Sequence, residues 1–310
     1  MIAASGRGED MIVITGATGR TGGVAAKALL KNGGKVRVVG RDAKKLQSLV
    51  QNGADAVAGD VEDPAFLARV FEEASAVYLV VPEDTSQPDL RAHQERATDS
   101  FAAAISRARV PYVVALSSVG AQHAEKTGPI VGLHNLEQKL NRIPGLNVLC
   151  LRPGYFMENL LLSLAQLCSM ATLPGGMRGD VAMPWIATKD IGEYAAERLG
   201  ACDFSGSSIQ ELHGERDISM NEAASIAGKA IGKPELQYMQ VPLPMLAGAL
   251  AQMGLPKTTV KLLIEMWEGA NAGLIMPQER RSAKNTTPTT LESFCVEVFA
   301  PAYQNVVATK

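Results

Sequence analysis

The residues of this chain best placed to do chemistry together are three glycines in Gly16-Ala17-Thr18-Gly19-Arg20-Thr21-Gly22, a G-x-x-G-x-x-G turn that follows the apolar run Met11–Thr15. In such a turn the first glycine permits a tight bend, the second lets backbone approach a pyrophosphate, and the third allows a helix to pack closely. The helix that opens there presents unpaired N–H groups to an anion. Because the turn stands between a strand and a helix, the pattern reads as a dinucleotide site rather than an ordinary glycine-rich bend. At the end of the second strand an acid would hydrogen-bond a ribose 2′-hydroxyl, but the chain has Gly40 followed by Arg41. A guanidinium suits a 2′-phosphate through charge-assisted, often bidentate contacts, so the expected cofactor is NADP(H). Asp42 is the alternative, since a small rotation of the loop would bring its carboxylate to the ribose. Arg20 supplies a second positive contact or is simply an exposed arginine. Asp60, with Val61 after it, closes the third strand, where a short polar side chain can take the adenine amino group; its other reading is a helix cap near Pro64. Val81 and Pro82 end the fourth strand and should bring backbone beside the cofactor, at the carboxyl edge where open α/β sheets bind ligands.

These residues need a particular set of elements behind them. Apolar runs at Met11–Thr15, Val36–Val39, Ala56–Gly59, Ala76–Val81, Tyr112–Leu116 and Asn147–Leu151 alternate with segments of helical pattern, one of them from about Val24 to Lys31. Six such strands predict an α/β fold, a Rossmann-type doubly wound parallel sheet, and their continuous apolar character fits a sheet covered by helices on both faces. A single core rarely grows beyond roughly 250–300 residues, so 310 residues predict two lobes. The dinucleotide-binding domain is expected over 11–152 and a smaller, mainly helical substrate lobe over 153–310, with some of its segments free to return to the sheet. Within that lobe Ile209–His213 is strand-like, Ser219 and Glu222 form a capping box for a helix to about Ile231, and Pro242–Met266 continues as interrupted helix. Met157–Leu173 reads as a buried or interface helix, too short and too often interrupted to span a membrane.

Composition narrows the function. A formal net charge of -2 with scattered lysines and arginines leaves no basic footprint for direct nucleic-acid binding. Cys150, Cys168, Cys202 and Cys295 have neither redox-pair nor zinc spacing, and His93, His123 and His213 show no metal-ligand pattern, so no metal is expected. Met1–Asp10 lacks the apolar stretch of a signal peptide and Met11 is an alternative start, which points to a cytoplasmic protein.

The combination TGATGRTGG, VVGRD, AGDVEDP, ALSSVG, LRPGYFMENL and ATKDIGEYAA resembles the NmrA-like branch of the atypical short-chain dehydrogenase/reductases over nearly the whole chain. The resemblance implies a Rossmann domain binding NADP(H) and a small C-terminal lobe closing a cleft above the nicotinamide. Some members, such as the quinone oxidoreductase and triphenylmethane reductase branch, are reductases; others sense the nucleotide and regulate transcription through a protein partner. Short-chain dehydrogenases carry a Y-x-x-x-K pair, with tyrosine as proton donor. Here the helix reads Pro129-Ile130-Val131-Gly132-Leu133-His134, so Ile130 takes the tyrosine position and His134 the lysine position. Histidine at this point is also found in the quinone-reducing members. The resemblance places Ser117 at the cofactor, with Ser118 beside it, and Pro153, Tyr155 and Phe156 at the cleft floor, with Asn159 as a polar contact. His134 could hold the nicotinamide ribose or supply a proton. The expected activity is hydride transfer from NADPH to a flat, electron-poor small molecule such as a quinone, with an NADP(H)-sensing regulator as the rival; a homodimer or a regulatory protein partner is compatible with either.

Overall fold

In the computed structural model residues 10–170 and 172–308 are described. Of Met1–Asp10 only Asp10 falls among them. Strands β1 (Met11–Ile14), β2 (Lys35–Gly40), β3 (Asp55–Ala58), β4 (Ala74–Leu79), β5 (Tyr112–Leu116) and β6 (Asn147–Pro153) alternate with helices α1 (Arg20–Lys31), α2 (Ala43–Gln51), α3 (Pro64–Val70), α4 (Leu90–Ala108) and α5 (Ile130–Leu140). The chain continues through β7 (Tyr155–Phe156), α6 (Leu164–Met170), β8 (Thr172–Gly175), β9 (Met183–Ile186), α7 (Thr188–Ala201), β10 (Ser207–Leu212), β11 (Asp217–Ile218), α8 (Met220–Ala230) and β12 (Gln237–Gln240) to α9 (Leu243–Gln252) and α10 (Lys257–Asn271).

The main sheet has seven parallel strands in the order β10-β6-β5-β4-β1-β2-β3. Six strands were expected; the seventh is the strand-like piece near Ile209, which leaves the C-terminal half of the chain and pairs with β6 along its whole length, Ser207 against Val148 through Leu212 against Pro153. Alternate residues of one strand enter different cores, as the period of two requires. Ile12 and Ile14 join Leu29, Leu46, Ile191 and Leu199 on one face, while Val13 joins Phe71, Phe101 and Leu136 on the other. A third cluster lies off the sheet, around Met157, Trp185, Leu173, Phe294 and Phe299.

Two local readings change. The first helix starts at Arg20, within the glycine motif, not near Val24. Met157–Leu173 is not one helix: it runs as a 3-10 turn over Met157–Ser163, then α6, and ends in β8. Leu173 is drawn into β8 because that strand finds a parallel partner in β12, Leu173 lying against Tyr238, a contact 65 residues away that no local periodicity reports. Ser219 caps α8 as expected, its Oγ accepting from the Glu222 N–H at 3.2 Å.

Candidate functional site

The strand order reverses between β1 and β4, the switch point where a doubly wound sheet opens a crevice at its carboxyl edge. Thr15 pins that edge: its hydroxyl donates to the Tyr78 carbonyl and accepts from the Val80 N–H, each at 3.0 Å. Gly16 then takes φ +62°, and a Cβ there would stand 2.9 Å from the Val80 side chain. A Cβ on Gly22 would fall 2.4 Å from the Gly16 carbonyl oxygen, so α1 can approach the turn only without a side chain. Gly19 is the N-cap of α1 and supplies no side-chain cap, and no acidic residue lies in the first turn of the helix. The unpaired N–H groups and positive end of α1 thus face the crevice uncompensated, which is what a pyrophosphate needs. The residues present fit a dinucleotide.

Arg41 is exposed just past β2, with Nη1 3.4 Å from Asp84 Oδ2 in the chain that leaves β4. Asp42 is the N-cap of α2, its Oδ1 accepting from the Lys44 N–H at 2.9 Å. Thr18 leans on Gly40: a Cβ on Gly40 would lie 3.4 Å from its methyl group. Thr21 and Gly22 are buried and Arg20 is exposed, facing the Glu83 charge. Asp60 is exposed; its Oδ1 accepts from the Glu62 N–H, while the cap of α3 is Asp63. Val61 is half-buried against the core on the α3–α4 face, and Val81 is buried with Pro82 half-buried after β4.

Ser117 is 2% exposed and its hydroxyl donates to Glu137 Oε1 at 2.5 Å. Glu137 in turn holds Arg152 through both oxygens, Nε at 2.9 Å and Nη2 at 2.6 Å. This buried pair continues through Gln278, whose Oε1 accepts from Arg152 and whose N–H donates to Glu211. Ser117 therefore serves a network that ties β5, α5 and β6 together, with its hydroxyl committed to Glu137. The Ser118 hydroxyl donates to the Val119 carbonyl. The aligned pattern of α5 gave no signal for Glu137, which sits one turn beyond the histidine and is legible only once Arg152 is opposite.

Ile130 is buried at the start of α5 and carries no acidic proton. His134 is half-buried with Nδ1 2.8 Å from the Ala121 carbonyl. A carbonyl only accepts, so Nδ1 carries the proton and Nε2 is an acceptor in the neutral ring; donation from Nε2 requires the imidazolium. Gly154 lets the chain turn from buried Pro153 into β7, since a Cβ there would lie 2.4 Å from the Pro184 carbonyl oxygen. Tyr155 then packs edge-on against Trp185 with ring centroids 4.7 Å apart, and Phe156 packs against the α1–α7 core. Burial pushes the Tyr155 phenol up to about 12, with the Asn159 hydrogen bond pulling the other way. Tyr238, which donates to the Met177 carbonyl, covers Gly175, and Trp267 with Leu246 covers Gly176. Sequence reading missed these last three, because they arrive from β12, α9 and α10. Among the described residues no group of three or more His, Cys, Asp or Glu could hold a metal ion, and no helix is long and apolar enough to cross a membrane.

The model of the NmrA-like family matches residues 8–294. The chain belongs to the NmrA-like family. Among curated relatives, the NAD(P)H azoreductase of Xenophilus azovorans is 24% identical over 257 residues, 83% of this chain and 86% of that protein. Among solved structures, the NADPH-dependent quinone oxidoreductase of Escherichia coli complexed with NADPH superposes with a TM-score of 0.78 at 23% identity, covering 93% of this chain and all of that one. NmrA itself, a negative transcriptional regulator in complex with NADP, superposes with a TM-score of 0.70 at 16% identity over 97% of this chain and 98% of that one. The NmrA-like fold thus carries both reductases and a regulator.

Proposed function

We propose that the chain is an NADPH-dependent reductase whose acceptor is a quinone-like or other conjugated, electron-poor small molecule. The observation that carries this reading is the uncapped N-terminus of α1 behind the Gly16–Gly22 turn, with Arg41 at the ribose end and no tyrosine acid on α5. When bound, the nicotinamide supplies hydride. The α1 N–H groups bind the pyrophosphate, Arg41 takes the 2′-phosphate, Asp60 lies at the adenine end, and Val81 and Pro82 line the crevice. His134, with Nδ1 held by Ala121, offers Nε2 as an acceptor for a ribose hydroxyl, and as imidazolium it can return a proton. The Tyr155 phenol, with its pKa raised, stays protonated near neutrality; it orients rather than ionises. Tyr155, Tyr238 and Trp267 pack against the core cluster formed within 153–310, and their aromatic rings suit contact with a planar acceptor. A delocalised acceptor needs little acid catalysis, which is why Ile130 is tolerable where an alcohol dehydrogenase requires tyrosine. The azoreductase and quinone oxidoreductase relatives support this reading.

Ile130 equally suits a protein that binds NADP(H) without turnover and reports its redox state to a partner, and the likeness to NmrA supports that second reading. The deciding experiment incubates the purified protein with NADPH and a panel of quinones, azo dyes and triphenylmethane dyes while nicotinamide absorbance is followed. Oxidation above background with any member upholds the reductase; tight NADPH binding with none across the panel leaves the sensor.

A further inference from the structure

The chain leaving β4 and the chain leaving β2 meet above the glycine turn that leaves β1 between them. The turn is flanked on one side by Val80 and on the other by Gly40. Arg41 Nη1 reaches Asp84 Oδ2 across it at 3.4 Å, bridging strands that lie two inter-strand spacings, roughly 10 Å, apart. The two partners are not equally free. Asp84 Oδ1 accepts from the Ser86 N–H at 3.2 Å and the Ser86 hydroxyl at 2.6 Å, and Oδ2 accepts from Gln87 Nε2 at 3.1 Å. Those donors, the Ser86 hydroxyl foremost, hold its carboxyl well below the usual carboxylate range, so it stays ionised. The Arg41 side chain is 64% exposed and Asp84 is its one charged partner among the described residues. The carboxylate is the fixed member and the guanidinium the moving one. Desolvation raises the pKa of Glu83, the preceding residue, while the charge of Arg20 within the turn acts in the opposite direction.

We propose that Asp84 is a specificity-determining residue: a built-in counter-charge that competes with a ribose 2′-phosphate for Arg41 and accepts a hydrogen bond from a ribose 2′-hydroxyl, so that the site takes NADH as well as NADPH. This rests on the reading of Arg41 as the 2′-phosphate contact. The acid that NAD-selective sheets carry at the end of the second strand is here supplied from the far side of the crevice, after β4, while Asp42 caps α2. A 2′-phosphate brings nearly two negative charges to a place where a carboxylate is already fixed, and selectivity is the difference between its gain from Arg41 and its repulsion by Asp84.

The test is direct titration of NADPH, NADH and the fragments 2′,5′-ADP and 5′-AMP into the unaltered protein, Arg41→Ala and Asp84→Asn. Asparagine keeps an oxygen for the two Ser86 bonds and gives up, within the loop, only the Gln87 bond to Oδ2. Asp84→Asn is expected to tighten NADPH and 2′,5′-ADP by about three- to tenfold, the range for a partly exposed charge pair, without tightening NADH or 5′-AMP. A fall in affinity for all four would mean loop damage and would overturn the proposal, as would an unchanged NADPH-to-NADH ratio. Arg41→Ala separates the two layers. If it leaves the NADPH preference intact, the reading of Arg41 fails; if it erases the preference while Asp84→Asn changes nothing, the counter-charge alone fails.

Discussion

Arg41 is the side chain on which cofactor choice turns, and its exposure sets the size of the effect. A guanidinium in water gives less than a buried one, so Arg41→Ala is expected to weaken NADPH by about tenfold and to leave NADH nearly unchanged in the same titration. Tyr155 gives a prediction in pH. Its folded pKa, about 12, lies above the ordinary phenol value of 10.0, so the folded chain keeps a proton that the unfolded chain releases. Tyr155 therefore contributes stability that is fully present below about pH 10 and is lost as pH rises through the window from 10 to 12. Denaturation midpoints of the unaltered protein should fall as pH rises from 10 to 12, and Tyr155→Phe should show a shallower fall. The same number means that Tyr155→Phe leaves the pH dependence of any turnover between 6 and 9 unaltered.

Among the elements, the turn and α1 are the most tightly constrained. Gly22→Ala would place a methyl group 2.4 Å from the Gly16 carbonyl, so either α1 moves away from β1 or the turn opens. We expect a loss of about 1–3 kcal/mol in urea denaturation and the loss of measurable NADPH binding, because the helix N-terminus and the pyrophosphate position shift together. Gly128 has the equivalent role for α10. At φ +57° it lies against the Leu262 carbonyl, 2.1 Å from where a Cβ would be, and its own carbonyl accepts from Arg91 Nη2 at 2.7 Å. Gly128→Ala should undock α10, carrying Trp267 away from Gly176; limited proteolysis between α9 and α10 would report it.

For the molecule as a whole, the Glu137–Arg152 pair joins the sheet to the second half of the chain through Gln278 and Glu211. Both side chains are almost fully buried, so removing one leaves an uncompensated charge. Glu137→Ala is expected to lower stability by about 3–5 kcal/mol, whereas the joint replacement Glu137→Leu with Arg152→Met should lose clearly less than the two single changes added together. Thermal denaturation of the four proteins closes that cycle. β10 and α7 act at the same scale: both follow residue 153, yet one pairs with β6 and the other packs against α1, so the two halves of the chain share one sheet and one of its cores.

What the sequence determined by itself is whatever depends on neighbours a few residues apart. The glycine spacing, the strand–helix alternation, the cap at Ser219, the basic residue after β2 and the missing tyrosine on α5 are all local statements, because backbone sterics, helix period and turn chemistry act over one or two turns of chain. The tertiary structure decided what depends on residues far apart. It decided that β10 completes the sheet, that Leu173 belongs to a strand with β12, and that the Ser117 hydroxyl donates to Glu137. It also placed two acids: Asp42 caps its own helix, and Asp84, 43 residues beyond Arg41, is the carboxylate that reaches the guanidinium. Charge and pairing energies fall off with distance in space, and distance along the chain carries no record of them.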